Sequence, residues 1–100
     1  MKDKFKKFDG AKTRYELVPP KAIKAVAEVL TFGANKYGAN NWMDVDDPER
    51  YVGALMRHLE AYRSGEINDP ESGFSHLHHA ATNVAFLIEL GYEPKTWSNK

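Results

Sequence analysis

The chain has 100 residues, 42% of them apolar, with 14 basic and 14 acidic side chains and no cysteine. That length suits one domain with a modest core, a size that often gains stability by oligomerising. The balanced charge argues against a nucleic-acid coat protein, and the missing cysteine excludes disulfides and thiolate metal sites. No apolar run is long enough to span a membrane and no hydrophobic signal core opens the chain, so the expected location is the cytoplasm.

Residues 1–19 read as an irregular arm. Lys2, Lys4, Lys6, Lys7, Lys12 and Arg14 against Asp3 and Asp9 give residues 1–14 a net charge of +4. A frayed, solvated terminus is the plainer reading, though such an arm can hold phosphates. Pro19-Pro20 ends any extended segment and opens a helix. The spacing of Ile23, Val26, Ala27, Leu30 and Ala34 predicts that helix over 20–37, with Gly38 as its stop. Residues 39–47 form a loop rich in Asn and Asp around Trp42. Asp47-Pro48, an N-cap followed by proline at the first helical position, starts a second helix that ends near Ser64-Gly65. Its apolar stripe is Tyr51, Val52, Leu55, Leu59 and Tyr62. Within the loop 66–74, Asp69-Pro70-Glu71-Ser72 suits a type I turn. Ser75 is the N-cap of a third helix running to Leu90, with Gly91 just past its end. Its apolar row is Leu77, Ala81, Val84 and Ile88. No strand pattern appears, and the tail 91–100 carries Trp97, a residue to pack back or meet a partner.

The predicted fold is therefore all-α: one domain with three main helices over 20–90, an irregular N-terminal arm and a short tail. Three helices of this length leave apolar faces uncovered, so a homodimer or larger is expected, completing a four-helix-like core.

All four histidines, His58, His76, His78 and His79, fall in one segment, interleaved with Glu60, Glu66, Asp69 and Glu71 and followed by Asn83. Metal ligation and proton transfer draw on these side chains. His76, His79 and Asn83 stand at i, i+3 and i+7 and share one stripe. That stripe continues into Phe86 and Leu90, so it should face another helix, where an unpartnered polar group costs about 1–3 kcal/mol. His58, flanked by Leu55 and Tyr62, sits on the rim of the second helix's apolar face. A hairpin of the two helices brings it near His76 or His79, with Asp69 and Glu71 closing over that end. For any one histidine a local hydrogen bond is the plainer reading; for the group, a functional site is favoured. His78 points away from the stripe and should be solvent-exposed.

Three further features bear on chemistry. Glu60, three residues after Arg57, reads equally as a surface pair or as a ligand for Mg²⁺ or Mn²⁺ with Arg57 on a phosphate. Glu28 reads as exposed, with a ligand role as the lesser alternative. Around the end of the first helix, Gly33 permits close approach of a ligand, Lys36 suits a phosphate, and Tyr37 or Trp42 suits a base. Composition alone favours Tyr37 and Trp42 as core and Lys36 as solvated.

Three blocks carry a family resemblance. They are Asp9-Gly10-Ala11-Lys12-Thr13-Arg14-Tyr15-Glu16-Leu17-Val18-Pro19-Pro20; Leu30-Thr31-Phe32-Gly33-Ala34-Asn35-Lys36-Tyr37-Gly38-Ala39-Asn40-Asn41-Trp42; and a third from Arg57-His58-Leu59-Glu60 through Gly65-Glu66, Asp69-Pro70-Glu71-Ser72-Gly73 and His76-Leu77-His78-His79-Ala80 to Asn83. Across roughly 9–90 the chain resembles the phage and prophage domain described as the N-terminal domain of dATP/dGTP diphosphohydrolase. The resemblance implies a helical domain that hydrolyses purine deoxynucleoside triphosphates to the monophosphate and pyrophosphate with divalent metal. It makes Lys12, Arg14 and Lys36 candidates for phosphate contacts; Tyr37, Trp42 and Asn83 join them as candidate substrate-binding residues. It makes His58, Glu60, Asp69, His76 and His79 the metal and catalytic candidates. The helical Glu-x-x-Glu and Glu-x-x-Asp motifs of all-α nucleotide pyrophosphatases are absent; Arg57-x-x-Glu60 and the His79/Asn83 pair stand nearest, as in a site rebuilt around histidines.

The function expected is a metal-dependent nucleotide pyrophosphohydrolase. Glu60 or Asp69 holds the metal, His76 or His79 ligates it or acts as general base, and Lys36 with Arg57 stabilises phosphate charge. Mg²⁺ or Mn²⁺ is expected first, with Zn²⁺, Fe²⁺ or Co²⁺ suited to an imidazole-led site. The alternative is a non-catalytic phage accessory protein that binds a host protein or nucleic acid through the basic arm, Trp42 and Trp97. Nucleic acid is the less expected partner. A His-Asp phosphohydrolase is disfavoured because no His-Asp dipeptide occurs.

Overall fold

The computed structural model describes residues 10–95. Most of the basic arm, and Trp97 in the tail, lie outside the described residues. Three helices form the domain: α1 over Pro20–Tyr37, α2 over Glu49–Arg63 and α3 over His76–Glu89. Short 3₁₀ turns at Tyr15–Leu17 and Asn41–Asp44 precede α1 and α2. Among the described residues there is no strand, only one antiparallel bridge between Asn68 and Ser75. None of the helices is long and apolar enough to cross a membrane.

The helix ends follow from local chemistry. Pro20 occupies the first position of α1, and Gly38 closes it at φ +98°. Ahead of α2 the Asp47 carboxylate accepts the Glu49 N–H at 3.0 Å, while Pro48 holds the cap position, so the helix starts one residue later than predicted. At the start of α3 the Ser75 hydroxyl accepts the Leu77 N–H at 3.0 Å. α2 and α3 end alike. Gly65 N–H reaches Tyr62 O and Glu66 N–H reaches Ala61 O, and Gly91 and Tyr92 repeat the pattern on Ile88 and Leu87. These are Schellman closures, with Gly65 in the left-handed region at φ +109°.

α3 lies between the other two helices: α2 packs along it, α1 packs on it less extensively, and α1 and α2 scarcely meet. The predicted α2 stripe is half-buried except at Leu59, and the His76, His79 and Asn83 stripe faces inward as expected, but the apolar rows of α1 and α3 differ from those predicted. On α1 the buried apolar residues are Ala25 and Val29, while Ile23 and Ala27 are exposed. On α3 the predicted apolar row faces outward, with Leu77 42%, Val84 41% and Ile88 74% exposed. His76, Ala80, Thr82 and Asn83 are buried instead. The cause is local: Thr82 Oγ1 donates to His78 O and Asn83 Nδ2 donates to His79 O, each at 2.8 Å. Both side chains donate to carbonyls of their own helix and enter the interior at little cost. His78, expected to be exposed, is half-buried, and its Nδ1 has no partner.

Aromatic contacts fill the space at the open end. Trp42 stacks on Phe86 with ring centroids 4.6 Å apart, and Tyr51 lies 4.9 Å from the same ring. The Tyr51 hydroxyl donates to Trp42 O at 2.7 Å, and the Tyr92 hydroxyl donates to Glu49, tying the end of α3 to the start of α2. Each helix also depends on its caps. Ser75→Ala should lower stability by about 1 kcal/mol. Gly65→Ala should cost a similar amount through backbone strain alone, because nothing crowds an added Cβ there. Urea denaturation midpoints of the two variants check both.

Candidate functional site

The turn between α2 and α3 is built to present side chains. The Schellman closure fixes Glu66, and His76 N–H donates to Ile67 O at 2.9 Å, bringing the first residue of α3 beside it. Asp69 N–H donates to Phe74 O at 2.8 Å and Gly73 N–H to Asp69 O at 2.7 Å. The predicted type I turn is therefore one residue wider. Its missing bond is supplied by the Asp69 carboxylate, which accepts the Ser72 N–H at 3.0 Å.

Three imidazoles meet over this turn. His58 Nδ1 and His76 Nδ1 lie 2.8 Å apart, and the His58 and His79 rings stack at 4.6 Å with 9° between their planes. His76 Nε2 is 2.8 Å from Glu66 Oε1, and His79 Nε2 is 2.6 Å from Ser72 Oγ. The Ser72 hydroxyl also lies 3.1 Å from Asp69 Oδ2 and accepts the Phe74 N–H at 3.2 Å. In the arrangement that satisfies both contacts, Ser72 donates to Asp69, whose carboxylate only accepts, and receives His79 Nε2–H, leaving His79 Nδ1 as the basic nitrogen.

Ligand atoms of His58, Asp69 and His76 all lie within 4.8 Å of one another. Adjacent donors around an ion with bonds of about 2.1 Å sit about 3 Å apart, so the three fit a divalent transition metal with small closing motions. Burial holds the His58 and His79 imidazoles below their ordinary protonation range, and each is further opposed by the charge of neighbouring histidines. Burial raises Asp69, but hydrogen bonds from the Ser72 N–H and hydroxyl, with the charges of His79 and His58, outweigh it and hold the carboxyl low. His58 and Asp69 are thus favoured in the deprotonated forms that bind a metal, and His79 in the form that accepts a proton.

A cavity of about 790 Å³ opens from this cluster between α1 and α2. His58, Asp69 and His79 line it, as do Lys36, Tyr37, Asn41, Trp42, Arg57 and Phe86. Lys36 and Glu71 form an ion pair that joins α1 to the turn. Arg57 bends back toward Gly53, where an added Cβ would meet its Nη1 at 3.2 Å. Not every sequence candidate is gathered here. Glu60 pairs with Arg63 at 2.9 Å on the outer surface and stands apart from the metal donors. Arg14 pairs with Glu16 at 2.8 Å, and neither it nor Lys12 lines the cavity. Glu28 also lies off the cavity wall, and Asn83 is buried beneath His79, its amide on the His79 carbonyl.

Comparison with known proteins bears on this arrangement. A family model described as dATP/dGTP diphosphohydrolase, N-terminal, matches residues 2–99. The chain belongs to this family. A relative from Salmonella phage PMBT28, named dATP/dGTP diphosphohydrolase, is 36% identical over 84 residues, which is 84% of this chain and 29% of the relative. The chain thus spans under a third of that protein's length. No solved structure matches.

Two site residues of this family member escaped assignment from sequence. Glu66 was visible only as one acid among several, and Ser72 only as a turn former; each becomes a partner through the wide turn. The buried imidazoles make stability pH-dependent with a definite sign. The unfolded chain takes up protons at the ordinary histidine value of 6.5, whereas folded His58 and His79 resist them. Stability should therefore be constant above that pH and decline as pH falls through it toward the lower folded-state values. Thermal melts between about pH 8 and pH 5 should show this decline, and the double substitution His58→Gln, His79→Gln should flatten it.

Proposed function

We propose that this domain binds a purine deoxynucleoside triphosphate in the cavity between α1 and α2 and hydrolyses it to the monophosphate and pyrophosphate. A divalent metal at His58, Asp69 and His76 would assist. The observation that carries the proposal is one juxtaposition: a single cavity has imidazole and carboxylate donors at one end and Lys36, Arg57, Tyr37 and Trp42 along its wall. Its volume is in the range of small-molecule sites. The substrate class follows the name of the phage relative.

In this reaction water attacks the α-phosphorus, the bond to the α,β-bridging oxygen breaks, and pyrophosphate departs with the electron pair. The proton released by the attacking water needs an acceptor. His79 Nδ1 is the free basic nitrogen, its tautomer is set through Ser72, and its depressed proton affinity keeps it neutral and ready at pH 7. Lys36 and Arg57 supply cationic contacts for the phosphates, Lys36 after leaving Glu71. Tyr37 and Trp42 offer ring faces for the base. Asn83 supports His79 from below. A bound divalent cation would neutralise the triphosphate and make water more acidic. Two imidazoles and one carboxylate favour Mn²⁺, Fe²⁺, Co²⁺ or Zn²⁺ over Mg²⁺.

A second reading, a non-catalytic accessory domain, draws on the outward apolar row Leu77, Val84 and Ile88, which a protein partner would cover. The same row is where we place the expected homo-oligomer contact. The nucleotide pool puts the proposed activity in the host cytoplasm.

Pyrophosphate release should be metal-dependent, abolished by EDTA and selective for dATP and dGTP. His79→Gln should lower kcat by about 100-fold or more, while Lys36→Ala and Arg57→Ala should chiefly raise KM. The checks are pyrophosphate release across NTPs, dNTPs and metals, and steady-state kinetics of the variants. Absence of turnover with every metal would leave the accessory reading. In sedimentation, Ile88→Lys should shift the wild-type oligomer toward monomer; a wild type that is already monomeric would refute self-association.

A further inference from the structure

We infer that Glu66 is the positioning residue of the histidine centre: it fixes the His76 proton on Nε2 and so presents the Nδ1 lone pair to His58 and Asp69. The inference rests on the metal reading above for its purpose, but its geometry is independent of it.

His76 is the most enclosed of the three imidazoles, 4% exposed, and both its ring nitrogens are spoken for. Nε2 faces Glu66 Oε1 at 2.8 Å, and Nδ1 faces His58 Nδ1 at the same distance. Glu66 presents a carboxylate from a side chain 55% exposed to water, and an ionised carboxylate only accepts. The proton between Glu66 and His76 therefore resides on Nε2 whether the ring is neutral or charged. In the neutral ring Nδ1 is then a lone pair, and the proton between the two facing Nδ1 atoms belongs to His58. A divalent metal held there would replace only that proton, which His58 could carry on its other nitrogen. A carboxylate behind a ligating imidazole also makes the ligand more basic.

The backbone argues that this pairing is built in. The carboxylate of a surface glutamate ordinarily samples many rotamers, and an exposed pair contributes little. Here the backbone of Glu66 is held by its N–H on Ala61 O, and the next residue's carbonyl accepts the His76 N–H. The two residues are thus joined through the main chain before their side chains meet. Glu60, a carboxylate on the last turns of α2, lacks such a link and turns to Arg63.

The test reads the tautomer and the metal separately. In metal-free protein, two-bond ¹H–¹⁵N spectra of the imidazoles should show His76 in the Nε2–H form. Co²⁺, titrated and followed by its visible absorption, should bind Glu66→Ala about 10- to 100-fold more weakly than wild type. Glu66→Gln, whose amide carbonyl still accepts from Nε2–H, should keep the tautomer and recover most of that affinity. Glu60→Ala should match wild type, and circular dichroism should show every variant helical. An Nδ1–H tautomer in the wild type overturns the inference, and so does Co²⁺ affinity unchanged in Glu66→Ala. A wild type that binds no metal overturns the metal role of Glu66 together with the proposed function; a His76 tautomer still on Nε2 would then uphold the proton assignment alone.

Discussion

A buried imidazole has two nitrogens to satisfy, and His76 satisfies both across element boundaries. One reaches back to Glu66 at the end of α2, the other to His58 in the body of that helix. An unpartnered nitrogen there would cost about 1–3 kcal/mol, a large share of what a domain with so few buried apolar residues can supply. The consequence is geometric. Meeting both partners fixes the register of α3 against α2, and the turn between them must then bring Asp69 and Ser72 up against His79. The site is the point where the hairpin is aligned, and chemistry and packing use the same side chains.

That economy explains the composition of the interior. Ala25, Val29 and Ala80 are the buried apolar residues among those described, and they are small. His76, Thr82 and Asn83 take the remaining buried places, hydrogen-bonded locally or across the hairpin. The aromatic group of Trp42, Tyr51 and Phe86 provides the bulk that the helices lack and walls the cavity at the same time.

Much of the fold could be read directly. Helix limits came within a residue or two because caps act locally: Pro20 through its fixed φ, Ser75 and Gly91 through hydrogen bonds to residues two or three away. The proximity of His58 to His76 and His79 followed from helical spacing and one short connection. The stripe of His76 and Asn83 was expected to face another helix, and it does; what could not be read is that the apolar row of α3 would lie outside it. Periodicity counts apolar side chains and is blind to hydrogen bonds, so Leu77, Val84 and Ile88 looked like core while Thr82, satisfied by its own helix, took the inside. Partner choice was equally hidden. Glu60 and Glu66 are the same residue type six positions apart, and only the left-handed turn at Gly65 separates a surface acid from one that meets a buried histidine. Lys36 finding Glu71 depends on an approach between α1 and a turn more than thirty residues later, which no local pattern encodes.

The near-absence of contact between α1 and α2 has its own consequence. Both helices are hung on α3, so the gap between them works like the jaw of a clamp with a single pivot. Its aperture is set by how α1 leans on α3, where the buried side chains are alanine and valine and small changes in bulk become leverage at the far end. On the turn side the Lys36–Glu71 pair is an ionic strut across the opening, beside an edge-to-face contact of Phe32 with Phe74 at 6.0 Å. A triphosphate bound as proposed would compete with Glu71 for Lys36, so the charge that recognises it would also loosen the jaw that admits it.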